Sequence, residues 1–582
     1  MQKNETMTNK LIDNYLKINR LDNQSLAQYK NTDHIQVHSG SLFSDFDIFC
    51  DVLNHSQDDV VTIYPDYDAD GIMGGLATYG MLTTLNIAKD VHLFPSDADH
   101  GYGLTPASVD QVLATFPDTT VIYTVDNGIN TKEAVDYAAT KGICVIITDH
   151  HTPELAKFPE KARAVISPNR ADKEDTYPFK HIAGAQVTYK ALLAFTEKFY
   201  PHKVAAVKRF ETLSNIAIVT DVMLVIDENR LLLKQCEKNL ATIQTIANDQ
   251  FYDKEASLIA KMILKSFAAF IGHITNQSYV ISHKTIGWSI GPKLNAVGRM
   301  FSSSKQAFDA LIYGFQQPEL FTRLDAIHQQ QKDEVAYFKQ KFVEQLGDNY
   351  YETIFIVDSD IRSRLCGLVA NGLAEKYHVP TVILGAGGSG SARSPKAYSV
   401  HAIITRIKEQ QPDLFRTFGG HAQAAGLALV DDPNTYETFK ELFKQETAVE
   451  RLKTDFDERA DNQKGIELDA DRLPTVEEVE ELVAFVEELR PLPVGLAEPK
   501  FKLRFSMEQG IPVIAGKLQN HLKFIFPLQD VPFEIVSWGL AEKLQALNRE
   551  NMVLAVGDLD INEFRGNKNV TLYTDMLSFY EM

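Results

Sequence analysis

The sequence predicts an α/β protein of several domains: a parallel-sheet domain, a second α/β domain joined to it by helices, and a small β-barrel at the C-terminal end. Three observations predict it. Apolar runs of strand length alternate with helix-length segments from about residue 59 to 200; the alternation returns at 353–430; and short strand-like runs broken by Gly and Asn fill 498–582. At 582 residues the chain has room for several domains of roughly 150 residues each.

Residues 1–58 are polar and read as a lead-in. Strands are expected at VVTIY (60–64), VHLF (91–94), VIYTV (121–125), CVIIT (144–148) and AVIS (164–167), with helices at 72–86, 105–116 and 130–141 between them. Strands that alternate with helices in this way lie parallel, covered on both faces. AGAQVTYKALLAFTEKFY (183–200) has amphipathic spacing, and 204–345 is mostly helical by periodicity. The first domain is set at 59–270 and a helical connector at 271–350. The second α/β domain, 351–432, opens with TIFIVD, continues with a helix at 364–377 and a strand at TVILG, and closes near GHAQAAGLALV. The acidic stretch 433–497, which includes PTVEEVEELVAFVEELR, reads as a solvated helical connector. In 498–582 the runs KFKLRF, IPVIAGKL, HLKFIF, FEIVSW, MVLAVGDLDI and VTLYTDM suit a small barrel, of which an OB-fold is one form.

Composition narrows the function. Acidic side chains outnumber basic ones 78 to 58, for a formal charge of −20. That opposes a nonspecific nucleic-acid coat but leaves room for a basic channel in an acidic shell. Cys50, Cys144, Cys236 and Cys366 are too scattered for a zinc knuckle or a disulfide framework. No apolar stretch approaches the ~18–20 residues that cross a bilayer, and the N-terminus is too polar for a signal peptide. A cytoplasmic protein without a membrane partner is expected.

The informative feature is where the acids fall. Asp66, Asp68 and Asp70 (PDYDADG) follow the first strand, Asp126 (VDNG) follows another, and Asp149, His150 and His151 (TDHH) follow a third. Carboxyl ends of parallel strands share one edge of the sheet, where ligands bind. So many carboxylates repel one another unless cations neutralise them. Oxygen ligands with a minority of imidazole suit Mn²⁺ or Mg²⁺, and two such ions bridged by Asp68 and Asp126 suit phosphoester hydrolysis. A lone Asp after a strand is commonly a cap or turn residue; three clusters on one sheet are not so easily dismissed. Asp221, alone in the apolar IAIVTDVM, is either a helix cap or meets a charge or metal. Gly287 and Gly291 read equally as loop glycines, while Lys293, Asn295 and Arg299 offer donors for phosphate. His421 is either a packed core histidine or a contact for a backbone passing its small neighbours.

The ordered set DYDADG (66–71), VDNG (125–128), DHH (149–151), VTDV (219–222), GPKLNAVGRM (291–300), GSARS (390–394) and GGHAQAAG (419–426) resembles the DHH phosphoesterase superfamily, and within it the RecJ-type exonucleases specific for single-stranded DNA. GDLDINEFRGNKNVTL (557–572) is similar to the end of the RecJ OB-fold. The resemblance implies a DHH domain followed by a DHHA1-type domain. It implies two divalent ions held by Asp66, Asp68, Asp126, His150 and Asp221, with Asp70, Asp149 and His151 behind them or facing phosphate. It implies DNA phosphates held by Arg299, Ser391, Arg393 and His421, and in-line hydrolysis that releases mononucleotides from a 5′ end. Single-strand-binding protein or a RecQ-type helicase are the partners it implies. The family pattern has His-Gly before DYDADG, where this chain has Tyr64-Pro65. It has an arginine ahead of GYGL, where SDADHGYGL (96–104) has none, and HPGxxGIVA where IRSRLCGLVA (361–370) stands. Arg362 or Arg364 is the replacement expected for the missing phosphate contact.

In the barrel, Lys523, Phe524, Phe526, Trp538, Phe564, Arg565 and Lys568 are candidates to hold a single strand by charge and stacking. About half of the aromatics are expected to fill the core instead, and Arg565 and Lys568 read as an exposed turn. Competing functions are a DHH-family phosphodiesterase for short oligonucleotides or cyclic dinucleotides, and a non-catalytic nucleic-acid-binding scaffold. The strand-tracking barrel argues against the first, and the full set of acids against the second.

Overall fold

The computed structural model of the chain describes residues 7–19, 21–22, 26–27, 30–32, 34–97, 103–174, 176–275, 281–347, 349–451, 465–492, 498–516, 521–527, 533–538, 541, 544, 551–564 and 567–581. It divides into two compact units: residues 37–224 with 232–456, and residues 1–36 with 225–231 and 457–582.

The larger unit holds two sheets. The first consists of β1 (Val60–Pro65), β2 (Asp90–Leu93), β3 (Val121–Val125), β4 (Cys144–Thr148) and β5 (Ala164–Ile166). Its order is β2-β1-β3-β4-β5, parallel throughout. Every residue of β1 and β3 is buried, as a strand covered on both faces must be. Helices Pro106–Thr115 and Lys132–Thr140 pack over Tyr64, Ile122, Val145 and Ile147. Helix Ala69–Leu85 covers the opposite face, where Gly74 closes on Val125. The chain leaves β1 outward to β2 and returns to β3 on the other side of β1. The carboxyl ends of β1 and β3 therefore flank a switch point, the place where such sheets bind ligands.

One helix departs from the sequence reading. Leu258–Thr275 is long and apolar enough to cross a membrane by length and composition. Here it packs against Ala69–Leu85 and Lys305–Tyr313, burying Ile263, Phe267, Phe270 and Ile271.

The second sheet consists of β6 (Ile354–Val357), β7 (Thr381–Leu384), β8 (Ser389–Arg393), β9 (Phe415–His421) and β10 (Ala424–Leu429), in the order β6-β7-β8-β10-β9. Only β6 and β7 are parallel. Helix Pro433–Arg451, expected as part of a solvated connector, belongs to this domain: Phe439 and Phe443, one turn apart, share a core with Val382, Ile404 and Leu427.

The smaller unit is a mixed seven-stranded sheet: β11 (Ile466–Leu468), β12 (Phe501–Ser506), β13 (Ile511–Ala515), β14 (His521–Ile525), β15 (Phe533–Ser537), β16 (Asn551–Phe564) and β17 (Asn567–Glu581). The last two strands, expected to be short, pair over 14 positions with a bulge at Val556/Gly557. Helix Val476–Leu489, the other half of the expected connector, buries Val479, Leu482, Val486 and Leu489 in this unit's core. Its apolar positions recur at helical spacing and its glutamates face outward, so the acidic composition described one face only. Leu11 and Tyr15 of the supposed lead-in lie in the same core.

Candidate active site

Register brings the first acids together. Pro65 pairs with Val125, and Val125 with Thr148. The ladder then runs one residue further: Asp66 N–H donates to Val125 O (3.0 Å), Asp126 N–H to Thr148 O (2.9 Å) and Asp149 N–H to Ile166 O (3.1 Å). Three acids thus leave three adjacent strands at one level, each fixed by its own backbone.

Asp68 caps helix Ala69–Leu85, its Oδ1 accepting from the N–H groups of Asp70 and Gly71 at 3.0 and 3.1 Å. Asp70 is held by the N-terminus of helix Gly184–Phe199: Oδ2 accepts from Gly184 N–H (2.7 Å) and Oδ1 from Ala185 N–H (2.8 Å). The positive end of that helix suits a carboxylate. A side chain at Gly184 would collide with Asp126, since a Cβ there lies 2.3 Å from Oδ1. The DHH turn is built by its own Asp149. Its Oδ1 accepts from His150 N–H (2.7 Å) and His151 N–H (3.1 Å) and faces His151 Nδ1 at 2.7 Å, while Oδ2 accepts from Ile129 N–H (2.9 Å). Asn169 Nδ2 donates to the His150 carbonyl at 2.6 Å.

His150 Nε2 then faces Asp126 Oδ1 at 3.3 Å, Asp221 Oδ2 at 3.4 Å and Asp70 Oδ2 at 3.9 Å. Asp126 stands in the left-handed region at φ 62°, uncommon for a residue other than glycine. Asp221 closes helix Glu211–Thr220 at its C-terminal end, where the helix dipole disfavours a carboxylate. Capping therefore does not account for its place. Asp126 Oδ1 and Asp221 Oδ2 are buried without a hydrogen-bond partner.

The electrostatics follow from that crowding. Burial and the neighbouring Asp68 carboxylate push Asp66 up to about 8 and Asp70 up to about 7. Burial, Asp70 and Asp68 push Asp221 up to about 9, and burial with the surrounding acids raises Asp126 well above the carboxylate range. Asp149 goes the other way: burial opposes its charge, but His151 outweighs burial and holds it at about 2. His151, opposed by burial and favoured by Asp149, rises to about 10, while burial and the His151 cation lower His150 to about 4. His150 is thus a neutral imidazole among acids that outnumber the one nearby imidazolium, His151.

These groups fit a metal. Donor atoms of Asp66, Asp68 and Asp126, of Asp70, His150 and Asp221, and of Asp126, His150 and His151 each lie within 4.8 Å of one another. Asp126 belongs to two of the sets. Orphaned carboxylate oxygens beside a neutral imidazole are a donor set for hard divalent cations.

A second wall faces this edge. Asn295, expected to donate to phosphate, uses its amide oxygen to accept from Ala69 N–H at 2.7 Å. Gly298 lies against Tyr67, with a Cβ position only 2.7 Å from the ring. Helix Gly291–Met300 is thereby laid on the DYDADG loop, and its half-buried Arg299 lies close to Asp68 and Tyr67. The Arg393 guanidinium is lowered by burial and by the charge of Arg299, and it donates to Ser391 Oγ (3.0 Å) and the Ala392 carbonyl (2.8 Å). Arg393 pairs across the second sheet with Ala424 and Ala424 with His421; Ser391 pairs with Gly426 and Gly426 with Gly419. Alternation puts these two rows on one face. Its middle strand carries only Ala and Gly, and the space above Gly419 and Gly426 is open. His421 is near enough to contribute to the lowering of His150.

Other candidates are not brought to this site. Lys293 is bonded to Asp325. Arg362 pairs with Glu334 (3.1 Å) and donates to Met300 O (3.3 Å); Arg364 is the exception, lying near the site within electrostatic reach of Tyr67. In the smaller unit Phe524 and Phe526 fill the core, Lys523 is bonded to Glu534, and Lys568 is paired with Glu480 at 2.7 Å. Trp538 is 60% exposed and stacks on Tyr573. Arg565 and residues 98–102 lie outside the described residues, and nothing is described of the Phe564 side chain. At Tyr64-Pro65, Tyr64 is buried and the Pro65 ring meets Gly75. The sequence reading missed the amides of Gly184 and Ala185, and also Asn169 and Tyr67. The small residues of AGA at 183–185 were the only signal for the two amides, and Tyr67 stood unremarked inside DYDADG.

Known proteins match this arrangement in chain order. The DHH family N-terminal domain matches residues 60–218, the DHHA1 domain 348–448 and the RecJ OB domain 471–575. Residues 60–218 thus carry a DHH-family domain. The chain's domain set is that of the RecJ branch. The single-stranded-DNA-specific exonuclease RecJ of Salmonella typhimurium is 28% identical over 538 residues, covering 88% of this chain and 86% of the relative. RecJ of Haemophilus influenzae is 26% identical over 539 residues, covering 89% and 87%. The crystal structure of RecJ from Thermus thermophilus in complex with Mn²⁺ superposes with a TM-score of 0.70 at 20% identity, over 99% of this chain and 76% of that one. An exonuclease RecJ bound to manganese gives 0.54 at 22% identity, over 71% and 96%. At these identities the likeness to the solved structures is one of fold. The DHH match ends three residues before Asp221, so that acid lies beyond it.

Proposed function

We propose that this DHH-family chain is a metal-dependent 5′→3′ exonuclease that hydrolyses single-stranded DNA to mononucleotides. One observation carries the reading: donor atoms of Asp66, Asp68, Asp126, His150 and Asp221 cluster at one sheet edge, with Asp126 Oδ1 and Asp221 Oδ2 left without a hydrogen-bond partner, in a chain with the RecJ domain set. These five residues would hold two divalent cations, Mn²⁺ or Mg²⁺, the ions with which RecJ of T. thermophilus has been crystallised. Ions held there would neutralise the carboxylates and supply Lewis acidity for phosphodiester hydrolysis.

The remaining work falls to the protein. Asp149 holds the DHH turn so that His150 Nε2 faces the acids as a neutral donor atom. Asp70, tied to the Gly184 and Ala185 amides, keeps helix Gly184–Phe199 against the site. Arg299 and Arg393 put two cations where phosphate oxygens arrive. The glycine strip of the second sheet lets a backbone pass between them and His421. Removing a single terminal nucleotide requires the strand to be held in register with the acids, and that strip supplies the hold. The 5′→3′ polarity comes from the family resemblance. A RecQ-type helicase or single-strand-binding protein delivers the strand, in the cytoplasm, on the same reading.

Product analysis on 5′- and 3′-labelled single strands tests it. Mononucleotides released from the 5′ label with Mn²⁺ or Mg²⁺, and no release in EDTA, are the expected result. Turnover of dinucleotides in preference to a long strand would favour the small-substrate phosphodiesterase instead.

A further inference from the structure

Trp288 has no role in the metal centre and yet is 80% exposed. It lies on a π-helical turn, Ile286–Ile290, that runs directly into helix Gly291–Met300, the element carrying Asn295 and Arg299. Such turns are rare and recur at functional sites. Two glycines lock this one onto the helix that ends at Asp221: Cβ positions at Gly287 and Gly291 lie 3.3 Å from Val219 and 2.9 Å from Thr220. The residue after Asp221 is Val222, 85% exposed and held at φ 54°. A β-branched residue in the left-handed region is strained. Burial of an apolar side chain does not explain this strain, because Val222 is not buried. An indole thus stands open to solvent on the turn packed against the helix that ends at Asp221, and an isopropyl group on the residue that follows this acid.

We propose that Trp288, on the turn packed against the helix that ends at Asp221, is a stacking platform for a nucleobase of the single strand, and so a positioning residue that sets the strand's approach to Asp221. The occupant is a base because the ligand must offer an apolar π-face on a chain whose phosphates reach the acids, Arg299 and Arg393. Aliphatic ligands fail the first condition, and peptides fail the second. This rests on the exonuclease reading. It goes beyond it by assigning base contact to the larger unit, apart from the barrel's Trp538.

The chain has two tryptophans, which makes the test direct. In the Trp538→Phe protein, Trp288 is the sole indole emitter. Its fluorescence is expected to be quenched by a 5′-phosphorylated strand with phosphorothioate linkages, and not by an abasic strand of equal length. Trp288→Ala is expected to raise KM for single strands roughly tenfold with kcat within about twofold, and Trp288→Phe to restore KM, as the loss of one stacked base requires. Equal quenching by the abasic strand, unchanged emission in a protein that still degrades DNA, or a fall in kcat at constant KM would overturn the platform. A wild-type protein with Mn²⁺ that leaves single strands intact would overturn the exonuclease reading, and the platform with it.

Discussion

The edge of the first sheet and the surface of the C-terminal sheet treat charge in opposite ways. At the edge, Asp66, Asp126 and Asp221 crowd together with protonation pushed far upward, and two of their oxygens have no partner. On the C-terminal sheet, Lys500 meets Asp558, Lys523 meets Glu534 and Lys568 meets Glu480. The second region is at electrostatic rest; the first is not. Buried like charges cost the metal-free fold stability, so a protein carries them where a missing cation completes them. Charge frustration, rather than charge density, separates the chemical site from an ordinary polar surface.

The sharpest way to break this contrast is Asp126→Asn. We expect metal-dependent hydrolysis to fall on the order of a thousandfold or more, measured as nucleotide release with Mn²⁺. The same substitution should raise the melting temperature of the metal-free protein at pH 8, because it removes one of the repelling charges. A loss of both activity and metal-free stability would mean that Asp126 is structural.

Next in size is the response to pH and metal. Asp66, Asp70 and Asp221 titrate at about 8, 7 and 9 in the fold, against an ordinary carboxyl near 4 in the unfolded chain. Between those values the folded state binds more protons than the unfolded one, so stability falls as pH rises. Calorimetry of the metal-free protein should show a melting temperature that declines from pH 5 to pH 9. Added Mn²⁺ should recover more of it at pH 8 than at pH 6, since ions bind the deprotonated acids and only the folded state assembles them.

Smaller again is the second wall. Arg393→Ala should raise KM for single strands about tenfold, the loss of a charge-assisted phosphate contact, with metal-induced thermal stabilisation unchanged. If that stabilisation drops as well, the wall and the metal centre are one unit. The smallest effect is expected for Lys568→Ala. Its ammonium is already engaged by Glu480, so binding of single strands, followed by anisotropy, should weaken less than about threefold. A larger loss would show that the pair opens to take DNA.

Much of the first sheet was legible in the sequence. The runs at 60–64, 121–125 and 144–148 fall on β1, β3 and β4 because buried parallel strands must be continuously apolar, and that signal is local. Asp66, Asp126 and Asp149 were legible for the same reason: each directly follows its strand. The acidic connector was misread because its glutamates outweighed Phe439, Phe443, Val479 and Leu482, whose partners lie on strands distant in the chain. Lys293 and Asn295 had the right chemistry for phosphate, but Asp325 and the Ala69 amide hold them instead. Trp288 carried no local signal at all.

Taken alone, the order of residues determined which side chains end each strand, the alternation that makes those strands parallel, and the family to which the motifs point. Tertiary structure decided which acids remain without partners. Asp149 is satisfied by the turn it builds and Asp70 by a helix arriving from residue 184, while Asp126 and Asp221 are left open toward His150. Strand ends are set by local apolar runs, but whether a carboxylate is satisfied depends on hydrogen-bond donors brought from a hundred residues away, and only the folded chain supplies them.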